Sequence, residues 1–228
     1  MSFAPIELFF LSFFVFFAYL TKALDVKGCL TGAIMGLILL AFQDFRWLLT
    51  LLIFFTIGVA ATMYGKKTKR KMGYFQKTRT FENVVSNGGV AILFSTIGPV
   101  GLFGFVGSLA AATSDTLSSE IGVLSKKEPF LITNFKRVRA GTDGAISFLG
   151  TAASVLGAIL FGIICMFIFS EPILLSVSIL CGIFGSLIDS VVGATLERRG
   201  YFKNWTTNLT ATVFGALFGS LILVISWI

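Results

Sequence analysis

The chain consists of long, uninterrupted apolar runs separated by short polar segments. Each run is close to the roughly 20 residues that a helix needs to cross a hydrocarbon core of about 30 Å. Strands of a membrane barrel instead alternate in polarity over about ten residues. The mean hydropathy is +0.92 and only 13% of the 228 residues are charged. The sequence therefore predicts an all-α, polytopic transmembrane bundle that forms one domain over residues 1–228.

The apolar runs predict about eight spans, with six to eight as the expected range. Turn-forming pairs such as Gly98-Pro99 and Glu171-Pro172 separate several of them. The predicted spans are residues 5–21, 28–43, 46–64, 83–97, 100–122, 144–169, 172–192 and 207–227.

The basic residues predict the orientation of the bundle. All but one of the 18 Lys and Arg residues fall in alternate loops, and the exception is Arg46. The positive-inside rule places the basic loops in the cytoplasm and both termini outside. The densest group, residues 66–71, is interpreted as a solvated face that meets anionic lipid head groups.

Two acidic clusters interrupt the apolar runs, at residues 113–120 and 185–195. Each carboxylate costs roughly 2.5–3.5 kcal/mol at membrane depth, so a bound metal ion, proton or cation-bridged phosphate is expected there. Asp115 and Asp189 have small residues four positions before and after them, which lets a partner helix approach closely. Glu120 lies about 140° around an ideal helix from Asp115. It shares an ion with Asp115 only if the helix breaks, and otherwise has another role.

The order of polar and apolar pieces repeats along the chain. The repeat predicts three related helical hairpins, at about residues 28–64, 83–122 and 143–192, and two of these bring an Asp to the same end of the bundle. Helix starts are predicted at Gly88-Gly89, at Gly144 and after Asn208. Free backbone N–H groups at helix starts bind anions.

Carboxylates, hydroxyls and cations near these positions predict a metal and phosphate site. Mg²⁺ usually takes one or two carboxylates plus substrate phosphates, and Lys and Arg bind phosphate oxygens. The absence of His excludes histidine catalysis and ligation. The candidate metal ligands are Asp115, Glu120, Asp143 and Asp189. The candidate hydroxyls are Ser114, Thr116, Ser119, Ser186 and Ser190, and the candidate cations are Lys77, Arg79, Lys136, Arg137, Arg139 and Arg198.

Several ordered motifs carry a family resemblance. They are Lys77-Thr78-Arg79, Asn87-Gly88-Gly89-Val90-Ala91, Ser114-Asp115-Thr116 with Ser119-Glu120-Ile121-Gly122, Thr133-Asn134, Gly141-Thr142-Asp143-Gly144, and Gly185-Ser186 with Asp189-Ser190. From about residue 20 to the end, the chain resembles a family of integral membrane proteins that includes the plant phytyl-phosphate kinase.

The resemblance implies a nucleotide-dependent kinase that converts an isoprenyl monophosphate, phytyl or geranylgeranyl phosphate, to its diphosphate. It implies CTP or another nucleotide as donor, Mg²⁺ or Mn²⁺ as metal, and no nucleic-acid partner. A prokaryotic plasma membrane is the expected location. The candidate catalytic residues are Asp115, Asp189, Lys77, Arg79 and Arg137. The candidate cofactor-binding residues are Asn87, Gly88, Ser114, Thr116, Ser119, Asn134, Lys136, Arg139, Thr142, Gly144, Ser186, Ser190, Arg198 and Asn208.

Two other functions use similar residues. A lipid-phosphate cytidylyltransferase uses the same metal and nucleotide but releases diphosphate. A cation-coupled transporter also has repeats and intramembrane Asp residues, although its site usually lies near the midplane. The two Asp residues here are predicted near one face.

Overall fold

The computed structural model describes residues 5–226, and over that range the protein is a helical bundle with one short two-stranded ribbon. The ribbon pairs β1 (Phe130–Leu131) with β2 (Ala145–Ile146) in antiparallel register. The helices are α1 (Pro5–Leu20), α2 (Val26–Phe42), α3 (Phe45–Met63), α4 (Lys66–Met72), α5 (Phe81–Val84), α6 (Val90–Ser95), α7 (Gly98–Gly122), α8 (Phe148–Phe169), α9 (Ile173–Val192) and α10 (Asn204–Ser226).

The lengths of these helices confirm the all-α, polytopic fold. Within residues 5–226, five helices are long and apolar enough to cross a membrane: Phe45–Met63, Val100–Gly122, Phe148–Phe169, Ile173–Glu197 and Asn204–Ile225. Helices α1 and α2 are apolar but shorter, and the predicted six to eight spans are compatible with this set. The hairpin repeat stays a prediction. The ends of the predicted domain, residues 1–4 and 227–228, lie outside the described range.

Helix α7 is the centre of the bundle, and small residues hold its neighbours against it. Its middle turns are fully buried, including Phe105 and Leu109. A Cβ added at Gly107 would overlap the carbonyl oxygen of Gly215 on α10, and one added at Gly185 on α9 would overlap the Cβ of Ala111. Close backbone approach through small residues is how membrane helices gain van der Waals contact. Helices α9 and α10 are therefore fixed tightly to α7.

Two π-helical turns interrupt the regular helices. The first π turn, Val85–Gly89, joins α5 to α6, and the second π turn, Gly193–Glu197, extends α9 beyond Val192. Such turns insert an extra residue into the helical repeat and are frequent at functional sites. They change the direction of the side chains that follow them. A sequence pattern with a regular helical period does not reveal that change.

The predicted helix starts at Gly88-Gly89, at Gly144 and after Asn208 are wrong. Gly88 and Gly89 lie inside the first π turn, and α10 already begins at Asn204. Gly144 precedes strand β2, and α8 begins four residues after it. The starts of α5 and α8 have side-chain caps that the glycine motifs lack.

Two capped starts show the difference. At α5, the backbone N–H of Thr80 donates to Asn83 Oδ1 at 3.0 Å. At α8, Ser147 Oγ accepts from the backbone N–H of Gly150 at 3.0 Å. Such side chains satisfy the orphan polar groups at a helix start.

The basic helix α4 is anchored through one buried lysine. Lys69 is fully buried, and its Nζ donates to Glu120 Oε2 at 2.6 Å and to the carbonyl oxygen of Ala61 at 3.0 Å. Thr62 donates to the other carboxylate oxygen of Glu120 at 2.7 Å. The interpretation of residues 66–71 as a solvated face is therefore wrong at Lys69, although the four other basic residues of this group are exposed.

Replacing Lys69 should destabilise the bundle, because removing one partner of a buried ion pair leaves the other charge uncompensated. We expect Lys69→Met to lower the free energy of unfolding by about 3 kcal/mol, measured by thermal unfolding in detergent. The matched control is Lys67→Met on the exposed face of the same helix, with an effect within about 0.5 kcal/mol. Equal stability of the two variants would show that the pair does not anchor α4.

Candidate functional site

A polar cavity of about 550 Å³ lies at the end of the bundle where α7 and α9 finish and α8 and α10 begin. The segment before α5 and the loop before β2 close its sides. The basic loops of the chain lie at this same end, and Arg79 is part of the wall. Its polar lining includes Thr62, Arg79, Asn83, Asn87, Asp115, Thr116, Ser119, Glu120, Thr142, Asp143, Gly144, Asp189, Ser190, Glu197, Asn204 and Asn208.

Packing between α7 and α9 brings Asp115 and Asp189 together. The helices touch at Ala111 and Gly185, where there is no room for a larger side chain. Each Asp lies four residues beyond that contact, one helical turn on and on the same face. Their carboxyl groups are close enough to form a hydrogen bond with each other. The predicted convergence of the two acidic clusters is thus present in the structure.

The neighbours of this pair add negative charge and one orienting donor. Glu197 and Asp143 both act electrostatically on Asp189. The Asn208 side chain, oriented with its nitrogen toward Asp189, donates to Oδ1 at 3.1 Å. Two ionised carboxylates at this separation repel each other strongly unless a proton or a cation lies between them. The pair therefore favours a shared proton or a bound cation.

The donor set fits a Mg²⁺ ion only if the ligand supplies part of the coordination. Among residues 5–226, no three Asp, Glu, Cys or His side chains are gathered closely enough to hold a metal by themselves. The predicted set of four carboxylates is therefore not assembled as one cluster. Asp115 and Asp189 do match the one or two carboxylates that Mg²⁺ takes when phosphates and waters complete its shell.

Glu120 lines the same cavity but is engaged elsewhere. Helix α7 is unbroken through Gly122, so the condition under which Glu120 would share an ion with Asp115 is not met. Its two oxygens accept hydrogen bonds from Lys69 and Thr62. Of the two roles left open for Glu120, the structure shows a separate one, in the anchor of α4.

Arg79 places a half-buried cation on the cavity wall. Its guanidinium packs against Gly58, where an added Cβ would lie 2.7 Å from Nη2, and its Cζ is 6.0 Å from the ring centroid of Phe55. Burial lowers the pKa of Arg79 and the nearby Glu120 opposes that shift, but an arginine remains protonated at neutral pH. No carboxylate within residues 5–226 forms an ion pair with it. Its donors are therefore available to an anionic ligand.

The backbone fixes Arg79 in this position. Its N–H donates to the carbonyl oxygen of Ala23 at 2.9 Å, and its own carbonyl accepts from Asp25 N–H at 3.1 Å. The segment before α5 is thereby tied to the turn between α1 and α2. A rigid backbone on both sides of the residue keeps the guanidinium aimed at the cavity.

Several predicted site residues lie outside the cavity lining. Ser114 is buried with an unpartnered Oγ against Gly182, and Ser186 is also buried between helices. Gly88 lines a neighbouring apolar pocket instead. The other predicted residues that the cavity does not contact are exposed on loops: Lys77, Asn134, Lys136, Arg137, Arg139 and Arg198.

Gly144 does line the cavity, but its place is set by packing. It has φ +71°, in the region that favours glycine, and an added Cβ would overlap the backbone nitrogen of Ala194. The loop before β2 can therefore press directly onto the second π turn. That contact holds Thr142 and Asp143 at the cavity wall.

Polar residues of the lining that were not predicted from the sequence include Thr62, Asn83, Glu197 and Asn204. Glu197 is partly buried at the end of the second π turn, within hydrogen-bonding reach of Asn204 and Thr207. It follows Asp189 by eight residues, about 80° around an ideal helix, so a regular helical period does not place the two together. Its neighbours Arg198 and Arg199 suggested a solvated loop.

Neutralising one carboxylate of the pair should stabilise the metal-free protein. We expect Asp115→Asn and Asp189→Asn each to raise the free energy of unfolding by on the order of 1 kcal/mol at alkaline pH with a chelator present, because like-charge repulsion is removed. Thermal unfolding in detergent measures this. The gain should shrink at low pH, where a shared proton already removes the repulsion.

Glu128→Gln is the matched control for that experiment. Glu128 is exposed, and its ion pair with the exposed Arg137 is long, at 4.0 Å. Losing this carboxylate should therefore change stability little. A loss of stability in both Asp variants under chelation would contradict the view that the two carboxylates repel each other.

Comparison with known proteins identifies the family. The model of integral membrane protein DUF92 matches residues 9–222. An uncharacterized membrane protein of Methanocaldococcus jannaschii is 43% identical over 206 residues, covering 89% of this chain and 87% of that protein. No solved structure matches the chain significantly.

Two plant proteins are also similar. Protein PGR of Arabidopsis thaliana is 31% identical over 224 residues, covering 83% of this chain and 77% of its own. Protein VTE6, chloroplastic, from the same plant is 30% identical over 220 residues, covering 90% of this chain and 66% of its own. The family model spans most of the chain, so the protein belongs to the DUF92 family of integral membrane proteins.

Proposed function

We propose that the protein is a kinase that transfers the terminal phosphate of CTP, or of another nucleotide, to phytyl or geranylgeranyl phosphate. The observation that carries this proposal is one cavity that contains both a close carboxylate pair and a half-buried arginine with no ion pair among residues 5–226. The carboxylates suit a Mg²⁺ ion, and the guanidinium of Arg79 suits phosphate oxygens. Phosphoryl transfer depends mainly on positioning and on neutralising charge in this way.

The reaction needs little proton transfer from the protein. An oxygen of the lipid monophosphate attacks the γ-phosphorus, and the bond from that phosphorus to the β-phosphate oxygen breaks. The products are the lipid diphosphate and a nucleoside diphosphate. A phosphate monoester has its second pKa near 6 and is mostly dianionic at neutral pH. The absence of His is therefore no obstacle.

Each wall of the cavity has a distinct task in this proposal. Asp115 and Asp189 would hold the metal, with Asn208 orienting Asp189. A Mg²⁺ ion bound there would neutralise phosphate charge. Arg79 binds the phosphates from the segment before α5, since its planar fork donates to two oxygens at once. Thr116, on the lining, contributes a hydroxyl donor, whereas the hydroxyl of Ser190 donates to the carbonyl oxygen of Ser186 at 3.0 Å.

The relatives support the acceptor class. The motifs that resemble the plant phytyl-phosphate kinase include Asp115, Asp189 and Arg79, and the plant protein VTE6 is among the relatives of this chain. The chain covers 66% of VTE6, so the carry-over of acceptor and reaction is a proposal. We further propose that the cavity faces the cytoplasm of a prokaryotic plasma membrane, because nucleotide is cytoplasmic and the basic loops border this end.

The position of the cavity favours an enzyme over a transporter. Transporter sites usually lie near the bilayer midplane, whereas this cavity lies at one end of the bundle, beside the loops. A cytidylyltransferase would use the same metal and nucleotide groups, and the fate of a labelled phosphate separates the two enzymes.

Phosphoryl transfer is measured with purified protein in detergent, Mg²⁺, γ-labelled CTP or ATP, and geranylgeranyl phosphate. We expect label in the lipid diphosphate. Asp115→Asn, Asp189→Asn and Arg79→Gln should each lower kcat by about 100-fold or more, as expected for loss of one preorganised charged group. Lys127→Gln, on an exposed loop outside the lining, is the matched control and should retain wild-type activity.

Three outcomes reject the kinase. The kinase is rejected directly if no label reaches the lipid with any nucleotide. Label from α-labelled CTP that enters the lipid selects the cytidylyltransferase. Cation flux in proteoliposomes that requires Asp115, without any labelled lipid, selects the transporter.

A further inference from the structure

A small apolar pocket adjoins the polar cavity. It lies between α1, α2 and α3, and its walls include Phe14, Gly32, Met35, Leu51 and Phe55. Three residues, Arg79, Asn83 and Asn87, line both this pocket and the polar cavity. The two spaces therefore adjoin each other at the segment that carries Arg79.

The groups at the junction between the polar cavity and the apolar pocket suit a phosphate head followed by a hydrocarbon chain. The guanidinium of Arg79 packs near the ring of Phe55 on the apolar side, while its donors are free of any ion pair within the described chain. Asn83 and Asn87 supply the remaining polar groups at the boundary. A phosphate held by Arg79 would place the first carbons of its chain against Phe55, Met35 and Leu51.

The pocket is too small for a whole isoprenoid chain. Its volume is about 60 Å³, less than half of the roughly 150 Å³ cavity that holds one benzene molecule. It has room for only a few carbon atoms. The neighbouring helices expose large apolar side chains, such as Phe13 on α1 and Leu30 and Ile34 on α2, so the rest of a chain leaves the pocket into lipid.

We propose that this pocket, the proximal-chain slot, binds the first few carbons of the lipid phosphate's chain and leaves the remainder in the bilayer. The identity of the lipid rests on the proposed function, whereas the slot itself rests on the three residues that line both spaces. The slot makes the enzyme selective for the structure of the lipid chain nearest the phosphate. It makes the enzyme insensitive to total chain length.

Gly32 offers a direct way to fill the slot. A Cβ added there would meet only Leu24 Cδ1, at 4.0 Å, so a larger side chain grows into the pocket without striking the backbone. Leucine is also a better helix former than glycine, so Gly32→Leu should preserve α2. The matched control is Leu30→Phe, which adds bulk on the same helix at a position 61% exposed and outside the slot.

The test measures lipid binding and nucleotide binding separately, by thermal unfolding in detergent with geranyl phosphate, geranylgeranyl phosphate or CTP with Mg²⁺. We expect Gly32→Leu to weaken the binding of both lipid phosphates by the same factor, which is at least about tenfold. A tenfold loss of affinity corresponds to about 1.4 kcal/mol. The response to CTP should not change. Leu30→Phe should bind all three like the wild type.

The outcomes separate the slot from the proposed reaction. Unchanged lipid binding in Gly32→Leu overturns the slot even if label transfer succeeds. A loss for the C20 lipid that is much larger than for the C10 lipid overturns the claim that only the first few carbons are bound. Selective loss of lipid binding in Gly32→Leu, with no phosphoryl transfer in the wild type, supports the slot and rejects the kinase.

Discussion

The close contact between α7 and α9 is the constraint on which the rest of the site depends. Ala111 and Gly185 allow the two backbones to touch, and one turn later the same approach forces Asp115 against Asp189. Two carboxylates held this way at membrane depth are unfavourable by themselves. The structure maintains them because α7 is packed on several sides by small-residue contacts, so the helices cannot separate to relieve the repulsion.

Two cations near the pair serve opposite purposes. Lys69 is buried, is paired with Glu120 and fastens α4 beneath the cavity. Arg79 is half-buried against Gly58 and Phe55 and has no such partner in the described chain. A partly desolvated charge without a partner is costly, so Arg79 gains most when an anion is bound. Carboxylates that favour a cation and an arginine that favours an anion together favour a metal-bound phosphate, which links the site's electrostatics to its proposed chemistry.

Local patterns predicted the parts of the site that depend on regular periodicity. The four-residue spacing of small side chains around Asp115 and Asp189 predicted two helix faces that meet, because that spacing follows from the helical repeat. The π turns were missed because they break the repeat, which misplaced a helix start at Gly88 and hid Glu197. Lys69 was missed because α4 contains four other, exposed basic residues, and its partner Glu120 lies 51 positions away.

The most direct test of the account is whether a divalent cation binds between Asp115 and Asp189. Electron paramagnetic resonance of Mn²⁺ added to the purified protein with CTP measures binding without requiring turnover. The account predicts that the wild type binds Mn²⁺ in competition with Mg²⁺. It predicts that Asp115→Asn and Asp189→Asn each weaken that binding by about tenfold or more. Equal Mn²⁺ binding by the wild type and both variants, or none by the wild type, would contradict it.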